Sequence, residues 1–405
     1  MRIRFCVNLA CCLIPFPRMR RYMRHSLRQC FNNEKCFRRY LSGRPVIVWF
    51  DHALGGGTET YSRRQFADLR DSFDIIRIQY YPGKLGGFKL TNPRNRDALW
   101  QMPDLSAFTE FCHTISVHQI VVNNLVIYAD TPAMLRYIAD LKQSLTTAPM
   151  VSFRGHDFYC ICPSFNLINC EGNYCDLAYH GGCENCWAHR IMSPRAKDNA
   201  AFRSGVNSVA AWRKSWGQFF KDTVDEIILF SPAIEKIFTR VYPSVADKIK
   251  IIPHTVREYP RVEIIPHTDI NIAVLGNVSH QKGAPVIYEM SRHLPPNVHI
   301  YIVGNMKNAP ENIHVHGPYR PHKLPRIMSR YQVDVVLIPS IWPETFSYTT
   351  SEAMSMRLPV ACYNMGAPAE RVSNYEYGLV IGEIAPQKNL EEIINFVMKL
   401  RESKK

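Results

Sequence analysis

This sequence has no apolar run approaching the roughly 18 residues that a membrane-spanning helix requires. It also lacks low-complexity tracts and short-period repeats, which excludes collagen-like, rod-like and solenoid architectures. Charged residues make up only 21% of the 405 residues and hydrophobic ones 46%, so a mostly disordered chain is excluded too. Acidic residues are scarce at the start: residues 1–44 hold eleven Lys/Arg against one acid, Glu34. The whole chain carries a net charge of +14, which leaves only +4 on the other 361 residues. A body this close to neutral argues against a nucleic-acid partner, and the cationic excess belongs to an N-terminal arm. Cysteine is thin over most of the chain, but Cys160, Cys162, Cys170, Cys175, Cys183 and Cys186, six of thirteen, fall within 27 residues. That pattern is too sparse for a small secreted disulfide scaffold and fits a reducing compartment with one local cluster.

Within the arm, Phe5 to Phe16 is an apolar run broken by Asn8 and ended by Pro15 and Pro17, with a dense basic stretch after it. A signal peptide would share the apolar run, but basic residues just behind it oppose translocation. The expectation is a basic, partly amphipathic helix on an anionic membrane surface, with a solvated tail as the alternative.

From Pro45 the pattern changes. Pro45–Asp51, Ile120–Val122, Pro149–Phe153, Glu226–Phe230, Ile270–Leu275, Val298–Val303 and Val333–Ile338 are short apolar runs suited to buried parallel strands. Helical patterns lie between several of them, at Glu59–Ser72, Thr131–Ser144, Pro232–Val241, Ala284–His293 and Ser347–Met356. This alternation predicts an α/β protein with parallel sheets covered by helices. The polar, proline-bearing stretch at 255–268 predicts a hinge. The expected organisation is an arm at 1–44, one domain at 45–265 with a Cys-rich insertion at about 157–190, a second at 266–385, and a helix packing back at 386–405.

The richest stretch follows Val333–Ile338 and runs from Ser340 through Glu344 and Glu352 to Met354. Ligands of open α/β sheets bind at the carboxyl ends of strands, which is where this loop falls. Phe346, Ser347 and Tyr348 would open a helix there, and its unpaired N–H groups favour an anion such as a diphosphate. Glu344 stands in the loop, and Glu352 about two turns on could accept from two ribose hydroxyls. The plain alternative is a capped surface helix with two solvated acids. Gly276 and Asn277 end another strand, with Lys282-Gly283 close behind. A glycine there admits a phosphate and a lysine can neutralise it; a turn with an exposed lysine is the alternative. The Gly55-Gly56-Gly57 run after the first strand has the same two readings, with Thr58 as a helix cap.

Together these pieces resemble the donor site of GT-B retaining glycosyltransferases, most closely glycosyltransferase family four of the bacterial surface-polysaccharide type. The resemblance rests on Glu344-x7-Glu352 with the following Pro359-Val360 and Gly366-Ala-Pro, on Gly276…Lys282-Gly283, and on Gly56-Gly57-Thr58-Glu59. It implies two Rossmann-like domains facing across a cleft. Lys282 would bind the diphosphate of a nucleotide-sugar donor, Glu352 the ribose, and Glu344 the donor sugar. The backbone at Phe346, Ser347 and Tyr348 would meet the phosphates. Gly56 and Gly57 would close onto the phosphate from the other domain. His156, in Arg-Gly-His-Asp, matches the family histidine near the reacting carbon. No catalytic divalent metal is expected. The sequence departs from the family where Asn277 stands in place of an arginine, leaving only His280 between it and Lys282. Ser347 stands where a glycine is common, and His254-Thr255 where Asn-Gly is usual.

In the cysteine cluster, Cys183-x2-Cys186 is a good chelating knuckle, and Cys162 and Cys175 are natural completing ligands, with Cys160 and Cys170 as alternatives. A structural zinc would order a loop without its own core. An iron–sulfur cluster, thiols without an ion, or a disulfide in an exported protein are the other readings. The functional expectation is transfer of a hexosyl or deoxyhexosyl group to a hydroxyl of a growing lipid-linked or cell-surface glycan such as lipopolysaccharide. The enzyme would be cytoplasmic, peripheral on the inner face of the membrane. The alternative is a degenerate, non-catalytic module that binds glycan or nucleic acid.

Overall fold

The computed structural model describes residues 33–82, 87–192 and 208–403, together with Met19. The apolar run at 5–16 and most of the basic arm lie outside the described residues. From Asn33 onward the arm belongs to the body. A short helix, Glu34–Arg38, is capped by the Asn33 side chain on the Cys36 N–H. Phe37 is fully buried against Trp100 and Phe111, with ring centroids 6.2 and 6.3 Å away. The segment from Asn33 to Arg38 is therefore part of the folded body, although the sequence pattern assigns it to the arm.

The chain forms two compact units, the first from residues 1–165, 190–228 and 242–250, the second from 166–189, 229–241 and 251–405. The first is built on an eight-stranded sheet: β1 (Val46–Asp51), β2 (Asp74–Tyr81), β3 (Gly87–Asn92), β4 (Asn95–Met102), β5 (Val117–Val122), β6 (Met150–Arg154), β7 (Glu226–Leu229) and β8 (Ile249–Ile251). They lie in the order β4-β3-β2-β1-β5-β6-β7-β8. β2, β1, β5, β6 and β7 are parallel, and β3 and β4 add an antiparallel edge. β1 is buried at all six positions: its apolar run Val46–Phe50 suits a strand covered on both faces, and Asp51 ends it as a buried carboxylate.

The second unit carries β9 (Ile270–Val278), β10 (Val298–Met306), β11 (His314–Val315), β12 (Val335–Ile338), β13 (Val360–Tyr363) and β14 (Gly378–Ile381). They are all parallel, in the order β11-β10-β9-β12-β13-β14. Successive side chains of a strand point to opposite faces. β9 accordingly sends Ile270, Ile272 and Val274 into one apolar core and Ala273 and Leu275 into the other. Each of the buried isoleucine, valine and leucine side chains among them contributes about 1.5–3 kcal/mol. Helices Ala284–Ser291 and Pro386–Glu402 supply the first core, with Ile287, Met290, Leu390, Ile393 and Val397.

Thr131–Ser144 and Pro232–Val241 are helices with the bounds the periodicity predicts. The helix after β1 starts earlier than predicted. Gly55 takes the cap position at φ 81°, and Gly56 opens the helix, so Thr58 is inside it and caps nothing.

Candidate active site

In the second sheet the chain order reverses between β9 and β12, so the crevice outside their carboxyl ends is the place where such a sheet binds ligands. Gly276 and Asn277 end β9, and the Ser340–Tyr348 loop follows β12. Two glycines bring this loop and the Lys282 turn together. Gly283 has φ 88°, and a Cβ there would lie 2.0 Å from the Pro339 carbonyl oxygen. Gly366 has φ 64°, and a Cβ there would lie 2.7 Å from the Glu344 nitrogen. Both approaches leave no room for a side chain.

Lys282 Nζ consequently sits 2.5 Å from Glu344 Oε2, and Ser340 Oγ donates to Oε1. Glu344 is only 3% exposed. Burial pushes its carboxyl pKa up, but the Lys282 ammonium and the Ser340 and Ser347 hydroxyls outweigh it and hold the group below its ordinary value. Asn277, where the arginine would stand, accepts on its Oδ1 from Asn305 Nδ2 at 3.1 Å. His280 is not turned to a phosphate role: its Nε2 lies 2.8 Å from the Gly172 carbonyl oxygen.

Ser347 caps the helix Tyr348–Ser355 at φ 70°, with its side chain accepting from the Thr350 N–H. Glu352 is half-buried on that helix, with Tyr259 OH 3.5 Å from its Oε1. Only the second half of the Glu344–Glu352 interval is helical, so the span is a loop plus one turn and not a straight rise. The side chains of Phe346 and Tyr348 are taken up in packing. Phe346 stacks on His254 at 4.4 Å, and Tyr348 OH is 2.8 Å from His254 Nδ1. Their backbone N–H groups remain the part that could face an anion.

Sequence reasoning missed Arg371, on the helix Gly366–Val372. Its Nη2 donates to the carbonyls of Phe346 at 2.5 Å and Ser347 at 3.1 Å, and its Nη1 donates to Ser351 Oγ. The guanidinium lies 4.5 Å over the Phe346 ring. Burial pulls its pKa down to about 10, against the opposing pull of Glu344. No nearby sequence signal announces it, since it acts on residues twenty or more positions upstream.

In the first unit, His156 follows β6, and its Nε2 is 2.9 Å from Asn123 Oδ1 at the end of β5. The Tyr61 ring meets its ring edge-on at 4.9 Å. Gly56 and Gly57 open the helix after β1. Glu59, a member of the glycine-run motif, faces inward to Arg77 at 2.5 Å.

The cysteine segment divides between the units. Cys162 belongs to the first, with its Sγ 3.1 Å from Ser164 Oγ, while Cys175, Cys183 and Cys186 belong to the second. Among the described residues no group of three or more His, Cys, Asp or Glu is placed to hold a metal ion. The expected set Cys162, Cys175, Cys183 and Cys186 is not brought together as an ion site: even Cys175, Cys183 and Cys186, which share the second unit, form no such group among the described residues. What the segment does make is a tight turn. Ile168 and Tyr174 pair in an antiparallel bridge, and the Cys170 N–H donates to Cys186 Sγ at 3.2 Å, against the start of helix Cys183–Met192. Ile168 is buried in the core beside β9, which places the segment with the second unit and not with the first, where chain order would put it.

Residues 255–405 match the family described as Glycosyl transferases group 1. No curated protein matches the chain. Among solved structures, it is similar to Anabaena HepE in complex with UDP-glucose, at 14% identity over 88% of this chain and 90% of that one, with a TM-score of 0.55. Sucrose-phosphate synthase from Thermosynechococcus elongatus is similar at 13% identity, over 88% and 91%, with a TM-score of 0.56. The lipopolysaccharide outer core galactosyltransferase WaaB is similar at 10% identity, over 88% and 90%, with a TM-score of 0.54. Two Rossmann-like sheets, the order reversal beside Gly276 and these likenesses agree: the chain has the GT-B fold, and its residues 255–405 match the glycosyl transferases group 1 family.

Proposed function

We propose that this protein is a retaining glycosyltransferase that moves a hexosyl or deoxyhexosyl group from a nucleotide-diphosphate sugar to a hydroxyl of a growing lipid-linked or cell-surface glycan. The observation that carries this is the pairing of Lys282 with buried Glu344 beside a helix N-terminus, at the order reversal of the second sheet. A donor diphosphate would take Lys282 and the amides at Phe346–Tyr348, leaving Glu344 to accept from sugar hydroxyls and Glu352 from the ribose. The bond from the anomeric carbon to the phosphate oxygen breaks, and the diphosphate leaves with the electron pair. The acceptor oxygen bonds to the same carbon on the same face, and its proton passes to the departing phosphate. The protein's part is positioning and stabilisation of the leaving charge.

Gly56, Gly57 and His156 keep in this proposal the donor roles that the resemblance implies. HepE carries UDP-glucose and WaaB is a lipopolysaccharide galactosyltransferase, which supports a nucleotide-sugar donor and a surface-glycan acceptor. Among the described residues no helix is long and apolar enough to cross a membrane. The membrane role is assigned to the basic arm, on the cytoplasmic face.

A screen of nucleotide sugars, read by product mass and by the anomeric configuration of the product, tests the reading. Glu352→Ala is expected to abolish turnover with the fold intact. Undiminished transfer would remove the assignment, and an inverted product would overturn retention.

A further inference from the structure

Five donors converge on the carboxylate of Asp51 at the end of β1. The His52 N–H and Asn123 Nδ2 reach Oδ1 at 2.9 and 3.0 Å. Ser62 Oγ, Arg77 Nε and Arg77 Nη2 reach Oδ2 at 3.0, 3.1 and 2.6 Å. Asp51, Ser62 and Asn123 are all fully buried. An ionised carboxylate held by a guanidinium can only accept hydrogen bonds.

The direction of every neighbouring bond then follows by elimination. The atom of Asn123 facing Asp51 must be its amide nitrogen. The second hydrogen of that nitrogen goes to Ser62 Oγ at 3.1 Å, whose own hydrogen is spent on Asp51. The Asn123 atom facing His156 is therefore the carbonyl oxygen, which also only accepts. His156 Nε2, 2.9 Å away, has to carry a hydrogen. Tyr61 fixes the ring plane from the side, and Arg154 Nε fixes Tyr61 by donating to its hydroxyl at 3.0 Å.

We propose that Asn123 is a positioning residue that locks His156 in the Nε2–H tautomer, so that any proton His156 accepts is taken on Nδ1. Donation runs one way, from His156 to Asn123 to Asp51, and the buried Asp51–Arg77 salt bridge sets its direction. The inference deepens the transferase reading, on which it rests for the role of His156. Its structural half stands without that reading.

Nitrogen NMR of the full chain labelled on its histidine rings tests it, with the His156 signals assigned by their loss in His156→Gln. The neutral ring is expected to show a protonated Nε2 and a pyridine-like Nδ1. A neutral ring protonated on Nδ1 overturns the proposal, and this readout needs no substrate and no Asn123 variant. Asn123→Ala is expected to mix the two tautomers and to lower kcat roughly a hundredfold, the cost of a misplaced group, with donor KM unchanged. Mixed tautomers with kcat unchanged would overturn the positioning role. If no nucleotide sugar is turned over, the transferase reading fails, while the wild-type tautomer still decides the lock.

Discussion

Glu344 holds a charge with almost no access to water, and Lys282 is what makes that tolerable. Its folded pKa lies below the ordinary 4.5, so its contribution to stability is fully present above that value and is lost as pH falls through the folded value. Lys282→Met should remove that support, move acid unfolding to higher pH and cost roughly 1–3 kcal/mol at neutral pH. The cost stays below that of breaking a fully buried pair because Lys282 is 38% exposed. Tryptophan fluorescence against pH checks both effects, and an unmoved acid midpoint would show that Lys282 does not carry the charge. Lys282 and Glu344 were both legible in the sequence, because each stands in a short motif just after a strand. Their contact was not, because it depends on Gly283 lying against Pro339 at the end of a strand that is not its neighbour in sequence.

At the scale of an element, the turn from Glu344 to Tyr348 is held in a backbone shape that serine adopts at some cost. Ser347 at φ 70° stores about 1 kcal/mol or more of strain. Arg371 is the compensation, since it ties down the two carbonyls that this turn directs inward. Arg371→Ala should cost about 2–4 kcal/mol, as several buried acceptors lose their donor together, and should weaken nucleotide binding in the same variant. Ser347→Gly should be nearly neutral, since relief of strain offsets the few tenths of a kcal/mol lost with the cap and the larger conformational entropy of glycine in the unfolded chain. Urea unfolding measures both, and an Arg371→Ala protein of unchanged midpoint would refute the compensation. The helix beginning near Ser347 was readable from its periodicity. The brace was invisible because it comes from the helix after the next strand.

For the whole molecule, the boundary of the basic arm decides which truncations are useful. A cut before Asn33 should leave the first unit intact, spare transfer to a soluble acceptor and abolish co-sedimentation with anionic vesicles. A cut after Tyr40 should also remove the fully buried Phe37 and cost about 3–5 kcal/mol, seen as a lower Tm. Vesicle binding that survives the shorter cut would assign the membrane surface to another part of the protein. The amino-acid order by itself determined the alternation of strands and helices, the two sheets and the carboxylate pair, because apolar periodicity and strand-end loops are local properties of the chain. Only the tertiary structure decided which groups meet. It put the Cys170 turn against His280 in the second unit, and it joined Asp51 to Asn123 across 72 residues. Those pairings depend on which strands become neighbours and which ends they share, and strand order is a property of the assembled sheet.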